Sequence, residues 1–374
     1  MRILQVVTMR QWRGAEVFAT QLSDALVARG HEVLVLGLLP APSESITPVR
    51  AAAADLPMPA NGKLNLRRVH ALQAYTKQFQ PHVVQANGSQ TLKYSALSKL
   101  VSRQRVPLVY RNISVASEWI RGPAHRAWGR WLARSLDYVS SVSDECVRDF
   151  IVTYRVPAER QSVMHRGIHV PETVDRGGAR MRLMRLAPIP ADASVLAHVG
   201  NFSPEKNHSW LVDTFREISE ARPGAHLVLM GDGAGRAGVA AQVAQLGLQH
   251  RVHLLGLQRD AAELVAAADV FVLPSLIEGL PGVVLEAGAQ AVPSVAVDVG
   301  GTREAIEQGS TGLIVPPGDR NAFISAVNAL LDDEPRRAAM GAAARRLVQE
   351  RFSMARTAAA FEDLYARLVE AHEH

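Results

Sequence analysis

From end to end, short runs of β-branched and aliphatic residues alternate with longer amphipathic stretches. That is the pattern of βα units laid around a parallel sheet. A first series predicts strands at 3–7, 32–39, 82–85, 108–110, 138–142 and 163–165, with helices near 14–29, 65–79, 89–103, 124–135 and 144–153. A second series predicts strands at 195–199, 226–230, 252–255, 270–273, 294–297 and 313–315. The stretch 171–190 carries Pro, Gly and charge without a strand pattern and reads as a linker region with a short helix at its middle. The 374 residues therefore divide into an N-terminal Rossmann-like domain, 1–170, a linker region, 171–190, and a C-terminal Rossmann-like domain, 191–350. A terminal amphipathic helix, 351–374, bears Phe361, Leu364, Tyr365 and Leu368 at helical spacing and is expected to cross back onto the first domain. Two doubly wound α/β domains in tandem would place the carboxyl ends of both sheets around a shared cleft, where ligands bind in open sheets.

Composition narrows the class. Hydrophobic residues at 48% and charged residues at 21% exclude disorder and fibrous repeats. Lys+Arg 41 against Asp+Glu 36 leaves a net charge of +5, which permits an anionic partner without requiring one. A single cysteine, Cys146, rules out an intramolecular disulfide and any cysteine-built metal cluster. The N-terminal Met1–Val7 run passes into polar residues before a signal-peptide core could form, and the longest apolar runs fall short of the ~18 residues that span a bilayer. A cytoplasmic location is expected.

The most informative stretch is Pro274-Ser-Leu-Ile-Glu278-Gly279-Leu280-Pro281-Gly-Val-Val-Leu-Glu286-Ala287. A buried strand stops at Pro274, a loop follows, and a helix opens near Pro281 with free amides able to hold an anion. Glu286, about two turns inside an almost wholly apolar helix, is costly unless it serves a purpose. Glu278 sits in the loop before it. A second cluster, Gly200-Asn201-Phe-Ser-Pro-Glu-Lys206-Asn-His208, also lies between a strand and a helix. Lys206 stands out because the other lysines, Lys63, Lys77, Lys93 and Lys99, all belong to the first domain. A compact ammonium there suits a phosphate. Gly231 and Leu255-Gly256 end the next two strands and would let backbone approach a flat ligand, while Gly14 opens the first helix where a pyrophosphate could sit. The dinucleotide fingerprint of three spaced glycines is absent at that turn, which disfavours a nicotinamide enzyme.

Taken together, these residues resemble the retaining nucleotide-sugar glycosyltransferases of family 4, glycosyl transferases group 1, with a GT-B fold. The resemblance runs over nearly the whole chain. It rests on Arg13-Gly14-Ala15-Glu16, Pro204-Glu205-Lys206-Asn207, Gly231-Asp232-Gly233, Leu255-Gly256, the Glu278/Glu286 pair, Gly300-Gly301-Thr302-Arg303-Glu304 and Thr311 to Asp319. It implies two facing Rossmann-like domains and transfer of a sugar from a nucleoside diphosphate donor to an acceptor hydroxyl with retained configuration. No metal or other cofactor is expected. It further implies that Glu286 binds the donor ribose, Glu278 the sugar hydroxyls and Lys206 the diphosphate. Gly279, Leu280 and Pro281 would border the donor through their backbone, with Gly14 beside the pyrophosphate.

Three departures from the family pattern stand out. Asn201 replaces the usual arginine that partners the lysine. Arg111-Asn112-Ile113 stands where a histidine is common, so Arg111 is a candidate for contacting donor sugar or phosphate. Arg166-Gly167-Ile168-His169 replaces the usual Asn-Gly-Ile-Asp. The expected function is retaining transfer from a UDP- or GDP-sugar to a polysaccharide, lipopolysaccharide or glycolipid precursor. Alternatives are a nucleotide-sugar-binding protein that has lost catalysis, or a sugar-nucleotide epimerase. Arg126, Arg130 and Arg134 form a stripe at helical spacing near Trp119, Trp128 and Trp131, which would suit a peripheral contact with the inner face of an anionic membrane. The plainer reading, a solvated basic helix whose tryptophans pack into the domain, is preferred. Nucleic acid is not expected, because no binding motif accompanies the basic residues.

Overall fold

The computed structural model describes residues 1–59, 64–102 and 105–373; Lys63 and the end of the helix expected at 89–103 lie outside the described residues. The chain divides into two compact units, Met1–Gly167 with Met354–His374, and Ile168–Ser353.

The first unit is built on seven strands: β1 (Arg2–Val7), β2 (Glu32–Gly37), β3 (Ala52–Asp55), β4 (Val83–Asn87), β5 (Leu108–Asn112), β6 (Tyr138–Ser141) and β7 (Gln161–Val163). All pairs are parallel, in the order β3-β2-β1-β4-β5-β6-β7, so the winding reverses between β1 and β4. Successive side chains go to opposite faces. Leu4, Val6, Leu36, Ala86, Leu108 and Tyr110 fill one core, while Ile3, Val33, Val83 and Val109 fill another with Phe18, Phe361 and Tyr365. The second face is thus covered jointly by the helices Gly14–Ala28 and Met354–Glu373.

In the second unit β8 (Ser194–Val199), β9 (Ala225–Met230), β10 (Val252–Gly256), β11 (Val270–Leu273), β12 (Ser294–Val297) and β13 (Gly312–Val315) form a parallel sheet. Its order is β10-β9-β8-β11-β12-β13, and the reversal falls between β8 and β11. Both sheets have the doubly wound Rossmann-like arrangement. Among the described residues no helix is long and apolar enough to cross a membrane.

One strand was not expected, and the linker region is more closely packed than expected. β3 was not anticipated, because Ala52–Asp55 is an alanine run at the sheet edge with no strand-forming side chains. The stretch 171–190 carries the short helix expected at its middle, but it packs on the second unit rather than standing free. Its helix Arg176–Leu186 buries Ala179 and Leu183 in the second unit, and the Arg180 guanidinium donates to the carbonyls of Ala267, Pro190, Ala191 and Ala193.

Candidate active site

In the second unit the two sequence-flagged loops leave the carboxyl ends of β8 and β11, the strands that flank the reversal. In open α/β sheets this is the position where a ligand meets the strand ends. A single 3-10 turn, Pro204–Lys206, ends at Asn207 with φ +56°, and from it the Lys206 ammonium donates to Oε1 of Glu278 at 2.6 Å. The backbone amide of Leu276 donates to the Glu205 carbonyl at 2.8 Å, and Asn207 Nδ2 donates to the Pro274 carbonyl at 3.3 Å. The loops are therefore laced together by backbone as well as by charge. Glu278 is 9% exposed and Lys206 side-chain exposure is 21%, so the pair is shielded yet still open on one side.

Two glycines permit this geometry. Gly231, at φ +140°, passes so near the Gly200 carbonyl that a Cβ would lie 2.0 Å from its oxygen. At φ +53°, Gly300 holds the loop after β12 under Glu278, where a Cβ would come within 1.8 Å of the Glu278 carbonyl oxygen. A side chain at either place would push a loop off the strand ends.

Beneath Lys206 lies a pair of histidines that the sequence reading did not single out as a structural element. His198, on β8, donates through Nδ1 to the Val272 carbonyl on β11 at 2.8 Å. Its ring meets His208 edge-on at 4.8 Å, and His208 stacks on Phe202 at 4.0 Å. Burial, reinforced by His208, pushes His198 down to about 3; burial and the nearby Lys206 charge push His208 down to about 4. Both rings are neutral at pH 7, so Lys206 is the cation of this group.

The remaining predicted residues of this unit take their places around the pair. Gly279 accepts from the Gly301 amide at 2.8 Å, Leu280 is buried, and Pro281 is the N-cap of the helix Gly282–Ala289. Glu286 lies on that helix and is half-buried rather than fully enclosed. Asn201 sits against the Gly233 turn: a Cβ on Gly233 would lie 2.8 Å from its Oδ1. Leu255 is half-buried near the end of β10. A cavity of about 490 Å³ opens between the Asp232–Arg236 turn and β10, lined by Gly233, Arg236, Val252 and Leu254 among others. Among the described residues no cluster of three or more His, Cys, Asp or Glu side chains is placed to hold a metal ion.

Gly14 and Arg111 belong to the first unit. Gly14 is the exposed first residue of its helix, and a Cβ there would lie 3.3 Å from Nη1 of Arg166. A guanidinium thus stands beside a helix start, and both favour negative charge at that place. Arg166 was read as a departure in sequence, without this proximity. Glu16, in the same first turn, is buried, and that burial pushes its carboxyl up to about 7.

The structure does not place Arg111 where a ligand could reach it, which corrects the expectation that it contacts the donor. Its side chain is 1% exposed. The guanidinium lies 4.5 Å from the Phe18 ring centroid and 5.1 Å from that of Phe361, with Nη1 donating to the Met164 carbonyl at 2.6 Å. Burial pushes its pKa down to about 9. Next to it a closed ring of buried hydrogen bonds ties the terminal helix to the sheet. Gln5 Nε2 donates to Tyr365 Oη at 3.2 Å, Tyr365 Oη to Gln85 Oε1 at 2.6 Å, Gln85 Nε2 to Asn87 Oδ1 at 3.0 Å, and Asn87 Nδ2 to Gln5 Oε1 at 3.0 Å.

Residues 12–171 match the family Glycosyltransferase Family 4, and residues 193–333 match Glycosyl transferases group 1. The D-inositol 3-phosphate glycosyltransferase of Kineococcus radiotolerans is 32% identical over 296 residues, which cover 72% of this chain and 68% of that protein. The N-acetyl-alpha-D-glucosaminyl L-malate synthase of Bacillus anthracis is 34% identical over 177 residues, 47% of this chain and 46% of that one. The matched stretch thus spans from under half to about two thirds of these relatives' lengths. Among solved structures, Anabaena HepE in complex with UDP and glucose shares the fold at a TM-score of 0.84 and 21% identity, over 98% of this chain and 100% of that one.

Proposed function

The chain belongs to the family 4, group 1 glycosyltransferases, with the GT-B class of fold, and from that premise we propose that it is a retaining glycosyltransferase. It moves a sugar from a UDP- or GDP-linked donor to a hydroxyl of a polysaccharide, lipopolysaccharide or glycolipid precursor. The observation that carries this reading is the Lys206–Glu278 pair at the strand reversal. Departure of a nucleoside diphosphate builds negative charge on phosphate while the sugar becomes electron-poor, so a fixed cation and a carboxylate a few ångströms apart match the two ends of the breaking bond. In this reading Lys206 takes the diphosphate, Glu278 the sugar hydroxyls and Glu286 the ribose. Gly279, Leu280 and Pro281 line the donor through their backbone, and the base enters beside Gly231 and Leu255. Gly14 is assigned to the pyrophosphate, with Arg166 supplying a cation to the same helix start. Lys206 and backbone amides stabilise the leaving group, with no metal required. The names of the relatives support a sugar transfer, and the lipopolysaccharide core glycosyltransferase LpsE of Rhizobium meliloti, 35% identical over 38% of this chain, supports the acceptor class. UDP in the HepE complex supports a uridine donor.

The test begins with thermal shifts for UDP, GDP, ADP and TDP and their sugar conjugates, because a ligand that binds only the native state raises the melting temperature. Transfer is then followed by NMR of the product, in which the anomeric coupling reports retention, with and without a chelator. Product of inverted configuration, or conversion of the donor without acceptor, overturns the assignment. So does turnover that disappears with the chelator and returns with added metal.

A further inference from the structure

The helix Pro123–Ala133 turns an apolar stripe away from its own core. Gly129, Leu132 and Ala133 are the residues it buries. Ala124, Ala127, Trp128 and Trp131 recur at the i, i+3, i+4, i+7 spacing of a second helical face, and all four are exposed. Trp128 and Trp131 are 38% and 41% exposed and stack on one another at 5.0 Å, while Trp119, just ahead of the helix, is 50% exposed. The tryptophans therefore do not pack into the domain, contrary to the expectation from sequence. Three of the chain's five tryptophans stand in solvent within thirteen residues.

Beside that stripe runs a basic edge. Arg126 and Arg134 are exposed, as is Arg121 before the helix; Arg130 is partly tied down by donating to the Thr153 carbonyl at 3.0 Å. Glu118 is the one acid in the sequence between Arg111 and Asp137. Exposed indoles flanked by guanidinium groups match the boundary of a lipid layer, where indoles sit at headgroup depth and cations meet phosphate. A helix of eleven residues with one apolar stripe lies in that plane rather than crossing it.

We propose that the helix Pro123–Ala133, with Trp119 and Arg121 ahead of it, is the face by which this chain docks on an anionic lipid bilayer. Charge complementarity selects that occupant: four arginines, Arg121, Arg126, Arg130 and Arg134, border the tryptophans against the single acid Glu118, an excess of positive charge that suits an anionic headgroup layer. The inference does not depend on the transfer reading, because its readout is binding alone.

The experiment uses the full chain with vesicles of phosphatidylcholine alone and of phosphatidylcholine with about one-third phosphatidylglycerol, read by co-sedimentation and by tryptophan emission. The expected result is binding to the anionic vesicles only, a blue shift of emission, and weakening as salt rises from roughly 0.05 to 0.5 M. The double variant Trp128→Ala/Trp131→Ala and the double variant Arg126→Glu/Arg134→Glu should each lose about tenfold or more in partitioning, with unchanged thermal melting. Equal affinity for both vesicle types, or full binding by the tryptophan double variant, overturns the proposal. So does a wild-type dimer that the tryptophan variant dissociates while neither form binds vesicles, which would make the face a contact between copies. Capture of an RNA oligonucleotide with no vesicle binding overturns it as well.

Discussion

The Lys206 ammonium lies 2.6 Å from Oε1 of Glu278, a residue 72 positions further along the chain. Two loops from neighbouring strands meet in that contact, and they are also joined by bonds that involve neither charge, from the Leu276 amide to the Glu205 carbonyl and from Asn207 Nδ2 to the Pro274 carbonyl. Replacing Lys206 by Ala is expected to lower kcat/KM by roughly 10²–10³-fold, the usual cost of removing one preorganised group that meets developing charge. Glu278→Gln keeps the shape and removes the charge, and should fall by a similar factor. Circular dichroism should show both variants folded, because the loops keep the bonds from the Leu276 amide and Asn207 Nδ2. Transfer within about fivefold of wild type in either variant would mean that the pair is structural.

Arg111 leads to the opposite prediction. Its guanidinium sits between Phe18 and Phe361 at 1% exposure, so its contribution is to packing. Arg111→Met preserves length and removes a charge that is costly to bury, and such replacements are often neutral or stabilising. Arg111→Ala leaves a cavity and should cost about 3–5 kcal/mol. Urea titrations of both variants, with transfer assayed on the methionine form, separate packing from chemistry. A stable Arg111→Met protein that had lost transfer would restore the role suggested by sequence.

These residues also show which kinds of information a sequence carries. The strands of the second unit were legible almost to the residue, because β8 to β13 are runs of aliphatic residues largely buried on both faces. Lys206 and Glu278 were legible as individuals, since each occupies a loop between a strand and a helix, but nothing local announced that they touch. β3 was missed because alanine carries no strand preference, and the short helix of the linker region was legible while its anchoring was not: Arg180 collects the carbonyls of Ala193 and of Ala267, the latter 87 residues on. Arg111 misled for a related reason. An arginine near a strand end looks like a ligand contact until the rings that enclose it, one from the first helix and one from the last, are seen.

The ring of Gln5, Tyr365, Gln85 and Asn87 makes the terminal helix part of the first unit's core rather than an accessory. Tyr365→Phe removes one hydroxyl and leaves a buried amide donor on Gln5 and a buried acceptor on Gln85 without their partner. The expected loss is about 1–3 kcal/mol, the cost of stranding buried polar groups. For a unit of this size that corresponds to a fall of roughly 2–4 °C in melting temperature per kcal/mol. Differential scanning calorimetry measures it directly. An unchanged Tm would show that water replaces the hydroxyl and that the ring is not cooperative.

The buried histidines set a lower pH limit for the second unit. His198 is held near 3 and His208 near 4 in the folded chain, and on the neighbouring strands β9 and β10 His226 Nδ1 lies 2.9 Å from His253 Nε2, with burial pushing both down and His253 to about 4. In the unfolded chain each ring titrates near its ordinary value of about 6.5. Below that pH the unfolded state binds protons that the folded state refuses, so stability is fully present above about pH 6.5 and is lost as pH falls toward the folded values. For His198, which is wholly buried, the loss between pH 6.5 and 5 is about 2 kcal/mol. Denaturant midpoints at pH 7.5 and 5 should therefore separate clearly. The double variant His226→Phe/His253→Phe, which keeps two stacked rings but removes two sites, should show a shallower dependence. Equal midpoints for the wild-type chain at the two pH values would mean that these rings are hydrated enough to titrate normally, and that the stack beneath Lys206 opens to water far more readily than its packing implies.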